Sequence, residues 1–188
     1  MGKVIVWNLV TLDGYFEGVK KWDLDFHRQA WGPELEALSK EFGKKAEALV
    51  FGRVTYEGMK TYWTTADDDT EVKAYMNALP KIVASHTLEE SDWNNTRVVK
   101  DIAGELAQLK QATDKNIYIF GSADLVASLL QEDNVIDEIM LCVVPVLLGQ
   151  GTPLFKPADQ RKSFKLLESQ PLSSGGIILR YGTEKSAA

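Results

Sequence analysis

With one cysteine in 188 residues, the chain has no means of forming an intrachain disulfide. Cys142 sits inside the apolar run EIMLCVVPVLLG, where a buried, unreactive thiol is expected rather than a nucleophile, and a lone thiol fits a reducing compartment. Histidine is nearly as scarce. His27 and His86 stand far apart, with no second cysteine and no paired-histidine spacing, so a zinc site lacks a ligand set. Basic residues are outnumbered, 21 Lys and Arg against 27 Asp and Glu, for a net charge of -6. That balance argues against non-specific binding to nucleic acid or to an anionic membrane, both of which need a basic face. No stretch approaches the ~20 apolar residues of a membrane span. The opening KVIVWNLV meets Asp13-Gly14 too soon to serve as a secretory segment. Together these absences point to a cytoplasmic protein.

What is present reads as one domain over residues 1–182, with 183–188 as a frayed tail. KVIVWNLVTL is near-continuously apolar, as in a central strand buried on both faces, and it stops at the Asp-Gly turn. GPELEALSKEFGKKA starts a helix at Pro33, with Leu35, Leu38 and Phe42 on one side. EALVFG is a short strand, and RVTYEGMKTYW continues it as a helix or helical turn. Three acids at 67–69 precede a helical pattern that ends at Pro80. KIVASHTL and NTRVVK are further strands, DIAGELAQLKQAT is a helix, and IYIFGSADLVASLL is a strand that turns at once into a helix over 124–131. Residues 135–151 read as a long strand interrupted by Pro145, which demands an edge position or a bulge. SFKLLESQPLSSGGIILRYG reads as an antiparallel pair. Strands alternating with helices up to residue 131, then a β-rich remainder, predict an α/β fold: a three-layer α/β/α arrangement with a mostly parallel central sheet and an antiparallel C-terminal edge.

Three of these strands finish in small or polar residues: FGRVTYE, ASHTL and FGSADL. In open α/β sheets ligands bind beyond the carboxyl ends of the strands, where helix N-termini present unpaired N–H groups. Gly121 would allow close backbone approach to a phosphate, Ser122 would add a hydroxyl, and Asp124 would cap the following helix. An ordinary βα turn explains the same residues. Arg53 and Thr55 form a candidate phosphate clamp, and Ser85, His86 and Thr87 are candidates to reach a phosphate or ribose; a surface arginine and a plain polar strand end are the rival readings. Asp13 either takes part in chemistry or does ordinary turn work through its side chain. Trp22, Phe26 and His27 belong to the aromatic stretch KKWDLDFHRQAW, which with Tyr62 and Trp63 suggests walls for a flat substrate or, equally, a packing cluster.

VTLDGYFEG, VFGRVTYEGM, KIVASHTL, IYIFGSADLVASLL and DEIMLCVVPVLLGQGTPLF occur in the order and approximate spacing of the dihydrofolate-reductase-like superfamily. The chain most resembles the branch containing the reductase domain of riboflavin biosynthesis and its stand-alone relatives, over roughly residues 3 to 181. The resemblance implies an NADPH-dependent reductase that delivers hydride to a C=N or C=O carbon of a small, possibly heterocyclic (pterin- or pyrimidine-like) substrate. It also implies where the cofactor lies: the 2′-phosphate near Gly52, Arg53, Thr55 and Ser85–Thr87, the pyrophosphate on Phe120, Gly121, Ser122, Ala123, Asp124 and Leu125, and the nicotinamide beside Val10, Leu12, Asp13 and Gly14. Relatives in this branch are often dimers, which implies a homodimer, with the VVPVLL run as a candidate contact. Folate reductases carry a carboxylate on the first helix, and the corresponding stretch here, WDLDFHRQAW and then GPELEALSKEFG, has no motif that aligns with it; a single cysteine rules out the zinc deaminase that accompanies the bifunctional riboflavin enzymes. A second reading keeps the cofactor without turnover, as an NADP(H)-binding sensor or interaction module.

Overall fold

The computed structural model describes residues 1–67 and 70–183. Ten strands and six helices follow one another as β1 (Val4–Thr11), β2 (Tyr15–Glu17), α1 (His27–Ala30), α2 (Pro33–Lys45), β3 (Ala46–Gly52), α3 (Arg53–Thr65), α4 (Glu71–Ala78), β4 (Lys81–Ala84), β5 (Thr96–Val99), α5 (Ile102–Ala112), β6 (Asn116–Phe120), α6 (Ala123–Leu129), β7 (Glu138–Val144), β8 (Thr152–Pro153), β9 (Phe164–Pro171) and β10 (Ile177–Thr183). Eight strands form one sheet in the order β5-β4-β3-β6-β1-β7-β10-β9. The first six run parallel, and β10 and β9 close the edge as an antiparallel hairpin. The remaining strands, β2 and β8, pair beyond the carboxyl end of the main sheet.

Alternation along β1 explains the two cores. Ile5 and Trp7 face one side, with Phe42 of α2, Tyr56 of α3 and Met76 of α4. Val4 and Val6 face the other, with Leu106 of α5 and Leu125, Val126 and Leu129 of α6. A strand buried on both faces needs apolar residues at every position, which is why KVIVWNLVTL lacks a polar stripe. The helix starts follow local chemistry. Pro33 opens α2; the Thr70 hydroxyl accepts the Lys73 N–H at 3.1 Å ahead of α4; the Asp101 carboxylate accepts the Gly104 N–H at 2.9 Å ahead of α5. Of the three acids expected to precede α4, Asp68 and Asp69 lie outside the described residues.

The long strand over 135–151 is not one element. β7 ends at Val144 and pairs on both sides, with β1 and with β10, so Pro145 terminates an interior strand instead of occupying an edge. A proline after the last ladder residue removes no sheet hydrogen bond, and the chain is free to turn over the carboxyl end of β1. The KIVASHTL strand likewise stops at Ala84, because the Ser85 hydroxyl turns the chain by accepting the N–H groups of Thr87 and Leu88. At the other end, Thr183 belongs to β10 and its N–H donates to the Asp137 carbonyl at 3.0 Å; residues 184–188 lie outside the described set.

Candidate active site at the carboxyl ends of the strands

Register brings the three suspected junctions together. Gly52 on β3 is the partner of Ala84 on β4, and Val50 of β3 lies beside Ile119 of β6, so Arg53 adjoins Ser85 on one side and the Gly121-Ser122 corner on the other. The contact between the two βα corners is tight. A Cβ at Gly121 would lie 2.7 Å from Thr55 Cγ2, and one at Gly52 would collide with the Ser122 hydroxyl. Glycine is therefore required at both places to let α3 and α6 begin side by side. Gly121 has φ +62° and Ser122 has φ +59°, two consecutive left-handed residues. For Ser122 this conformation is unfavourable, and backbone strain of this kind concentrates at ligand sites.

Neither helix start carries a side-chain cap, so N–H groups of two first turns open onto the same edge of the sheet. Asp124 does not cap α6: Ser122 holds the N-cap position, and the Asp124 carboxylate is instead ion-paired with Lys156. The Arg53 guanidinium lies along α3 and donates to both Glu57 oxygens at 3.0 and 3.2 Å. An exposed pair at this spacing is worth only about 0.3–0.5 kcal/mol, so a doubly charged phosphate at the same edge would readily recruit the arginine. His86 and Thr87 are exposed beside it.

The opposite wall comes from the segment after β1. Asp13 is exposed yet fully engaged: it accepts the Thr11 hydroxyl at 2.6 Å, the Leu148 N–H at 3.3 Å and the Gly149 N–H at 2.8 Å. The Thr11 hydroxyl and these backbone N–H groups hold its carboxyl below the usual carboxylate range. Asp13 thus ties the LDG turn to the LLGQG loop, a contact across 136 positions that links two of the motifs. Val10 is buried in β1, while Leu12 is exposed and Gly14 takes φ +84° to make the turn. Farther along, Trp22 lies on α3 where a side chain at position 58 would strike its ring, so Gly58 is the seat for the indole. The Trp22 backbone N–H donates to Glu17 Oε2 at 3.0 Å, and its φ is +66°. Phe26 is buried in the core and meets His27 edge to face at 4.7 Å between ring centroids. Burial pushes His27 down to about 4, which leaves it neutral at physiological pH. Tyr62 is exposed, and Trp63 packs inward against the core. Cys142 is buried, and that burial pushes its thiol up to about 11, as befits an inert packing residue.

One residue that the sequence reading passed over belongs here as well. Asn8 interrupts the apolar run of β1, is 6% exposed, and its Nδ2 has no hydrogen-bond partner among the described residues. The sole hint was a polar residue in a strand otherwise buried on both faces.

A mostly parallel sheet of this order, with paired βα corners at its carboxyl edge, is the dihydrofolate-reductase-like architecture. The model of the RibD C-terminal domain matches residues 2–178, and the chain belongs to that family. It is 29% identical over 182 residues to the uncharacterized protein YyaP of Bacillus subtilis, an alignment covering 95% of this chain and 94% of that protein. Among solved structures, it superposes on a putative riboflavin biosynthesis protein from Shewanella sp. PV-4 with a TM-score of 0.79 and 23% identity, covering 97% and 99% of the two chains. It also superposes on dihydrofolate reductase from Enterococcus faecalis, complexed with NADP(H), with a TM-score of 0.64 and 14% identity over 98% of each chain. The fold is thus shared with a putative riboflavin biosynthesis protein and with a dihydrofolate reductase. No helix among the described residues is long and apolar enough to cross a membrane.

Proposed function

We propose that this protein is an NADPH-dependent reductase whose cofactor lies along the carboxyl ends of β4, β3, β6 and β1. The observation that carries the proposal is the interlocked pair of corners at Gly52 and Gly121, which sets two uncapped helix starts beside Arg53 and Ser85. The residues present fit such a group: the first-turn N–H groups of α3 and α6 favour an anion, and α3 has no acidic residue in its first turn. In this reading Arg53, Thr55 and Ser85–Thr87 hold the 2′-phosphate, Gly121 to Leu125 hold the pyrophosphate, and the β1 turn from Val10 to Gly14 borders the nicotinamide. Lys156 neutralises Asp124, which would otherwise repel the phosphates.

When bound, the dinucleotide supplies hydride to a C=N or C=O carbon of a small heterocyclic substrate. The chain supplies position. Asp13, ionised and engaged by two backbone N–H groups, fixes the turn beside the reacting ring; this task suits its geometry better than proton donation does. His27 is neutral and offers shape and an N–H, not a cationic acid. Trp22 on Gly58, with Tyr62 nearby in sequence on the same helix as Gly58, supplies an aromatic wall on which a flat ring would stack. A reducing, cytoplasmic setting accords with the one inert thiol.

The proposal includes a homodimer, though not through VVPVLL, which ends an interior strand. Ile177, Leu179 and Tyr181 of β10 continue the apolar face of Ile139 and Leu141 on β7, and all three are at least partly exposed. An antiparallel sheet face left to water normally alternates to polar residues. A second copy would cover this one.

Substituting Arg53→Ala tests the cofactor assignment. NADPH affinity should fall by tenfold or more while NADH affinity changes little, since only NADPH carries the 2′-phosphate. Equal losses for both would refute the placement.

A further inference from the structure

β1 is longer than its neighbour on one side. It pairs with β6 over Val4 to Trp7 only, whereas it pairs with β7 from Ile5 to Thr11. Beyond the Trp7–Phe120 pair, the chain on the β6 side has already left the ladder at Gly121 with φ +62°. The sheet is therefore split at its carboxyl edge, and Asn8 is the first residue of β1 at the split. Because alternate residues share a face, Asn8 lies on the side of Val4 and Val6, the side packed by α6, next to Leu141 of β7.

Its amide nitrogen is buried and has no partner among the described residues, a state native interiors seldom keep without a reason. Two other buried side-chain nitrogens share this state, His27 Nε2 and Trp63 Nε1. His27 meets Phe26 of the opposite core, and Trp63 packs against that same core. Asn8 is on the other face, one position past the Trp7–Phe120 pair, where the neighbouring chain turns at Gly121. From Val4 to Val10 the other buried positions of the strand are all apolar, and an amide there gains nothing unless an acceptor arrives.

We propose that Asn8 is a cofactor-binding residue whose side-chain N–H donates to an acceptor oxygen on the half of the dinucleotide remote from its 2′-phosphate. This rests on the cofactor reading above. The strand order supplies the direction: with the 2′-phosphate at Arg53 and Ser85, between β3 and β4, a ligand crossing Gly121 reaches β1 with its other half. Binding would thus satisfy a nitrogen that the free protein leaves buried and unpartnered.

The test compares the full chain with its Asn8→Leu and Asn8→Ala variants, by thermal unfolding without ligand and by titration with NADPH and with adenosine 2′,5′-bisphosphate, which lacks the nicotinamide half. Asn8→Leu should raise the midpoint of the free protein by about 2–5 °C, because an unsatisfied buried amide becomes apolar. Both variants should weaken NADPH about tenfold and leave the bisphosphate unchanged. Unchanged NADPH affinity, an equal loss for both ligands, or loss of folding in both variants would overturn the role of Asn8 while wild-type binding keeps the cofactor reading intact. Failure of the wild-type protein to bind either ligand would overturn both.

Discussion

Alanine at position 121 challenges the packing of the two corners directly. The residue has φ +62°, where an L side chain costs about 1 kcal/mol or slightly more, and its Cβ would fall 2.7 Å from Thr55 Cγ2 and 3.0 Å from Thr55 Oγ1. Neither contact is with the free end of a long side chain. Thr55 is on the first turn of α3, so relief requires moving that helix start, and overpacking of this kind costs about 1–3 kcal/mol. The sum is about 2–4 kcal/mol, roughly a 10 °C fall in midpoint for a domain of this size. Urea unfolding of Gly121→Ala should show that loss at an unchanged slope. Thr55→Ser removes Cγ2, the closest atom, and keeps the hydroxyl. Combined with Gly121→Ala it should recover about 1 kcal/mol or more relative to the sum of the single variants, leaving the dihedral cost behind. Two results would refute the reasoning: a loss under about 1 kcal/mol for Gly121→Ala, or strict additivity of the two substitutions.

His27 provides a pH signature. Its folded value of about 4 lies below its unfolded value near 6.5, so the unfolded chain binds the extra proton and stability falls as pH drops through that window. At pH 5 the loss from this group is about 2 kcal/mol, and His27→Phe should flatten the stability difference between pH 7 and pH 5 by that amount; an unaltered slope contradicts the assignment. For the outward face of β7 and β10, light scattering should report twice the 21.0 kDa protomer, and Leu179→Glu should return it to one; a wild-type monomer ends the dimer proposal.

The sequence carried the parts of this fold that depend on neighbours along the chain. Period and punctuation place β1, β3 and α2 within a residue or so, because Pro33 starts a helix and Asp13-Gly14 ends a strand for local reasons. The site residues around Gly52, Arg53 and Gly121 were visible as strand-end motifs, but their joint purpose was not. The clash that forces glycine at 121 comes from Thr55, on another strand-helix unit. Asp13 shows the same limit: its turn chemistry reads from Asp-Gly, but its anchors at Leu148 and Gly149 lie far along the chain. The error over 135–151 arose because an apolar run with an internal proline looks the same whether the proline bends a strand or ends it. Only the pairing of β7 on both sides decides. Glu138 makes the point for charge. It reads as one acid among many, but it is buried, and although burial alone would raise its value, hydrogen bonds from Arg180 and Lys3, each 2.6 Å long, prevail and hold it low.

Direct titration with NADPH and NADH, followed through quenching of the tryptophan emission, is the most direct test of the central claim. Trp22 lies against α3 at Gly58, on the helix that begins at Arg53, and serves as the reporter. Saturable binding is expected, with NADPH favoured at least tenfold over NADH. Absence of binding to either nucleotide would contradict it, and would reduce the Gly52 and Gly121 corners to packing alone.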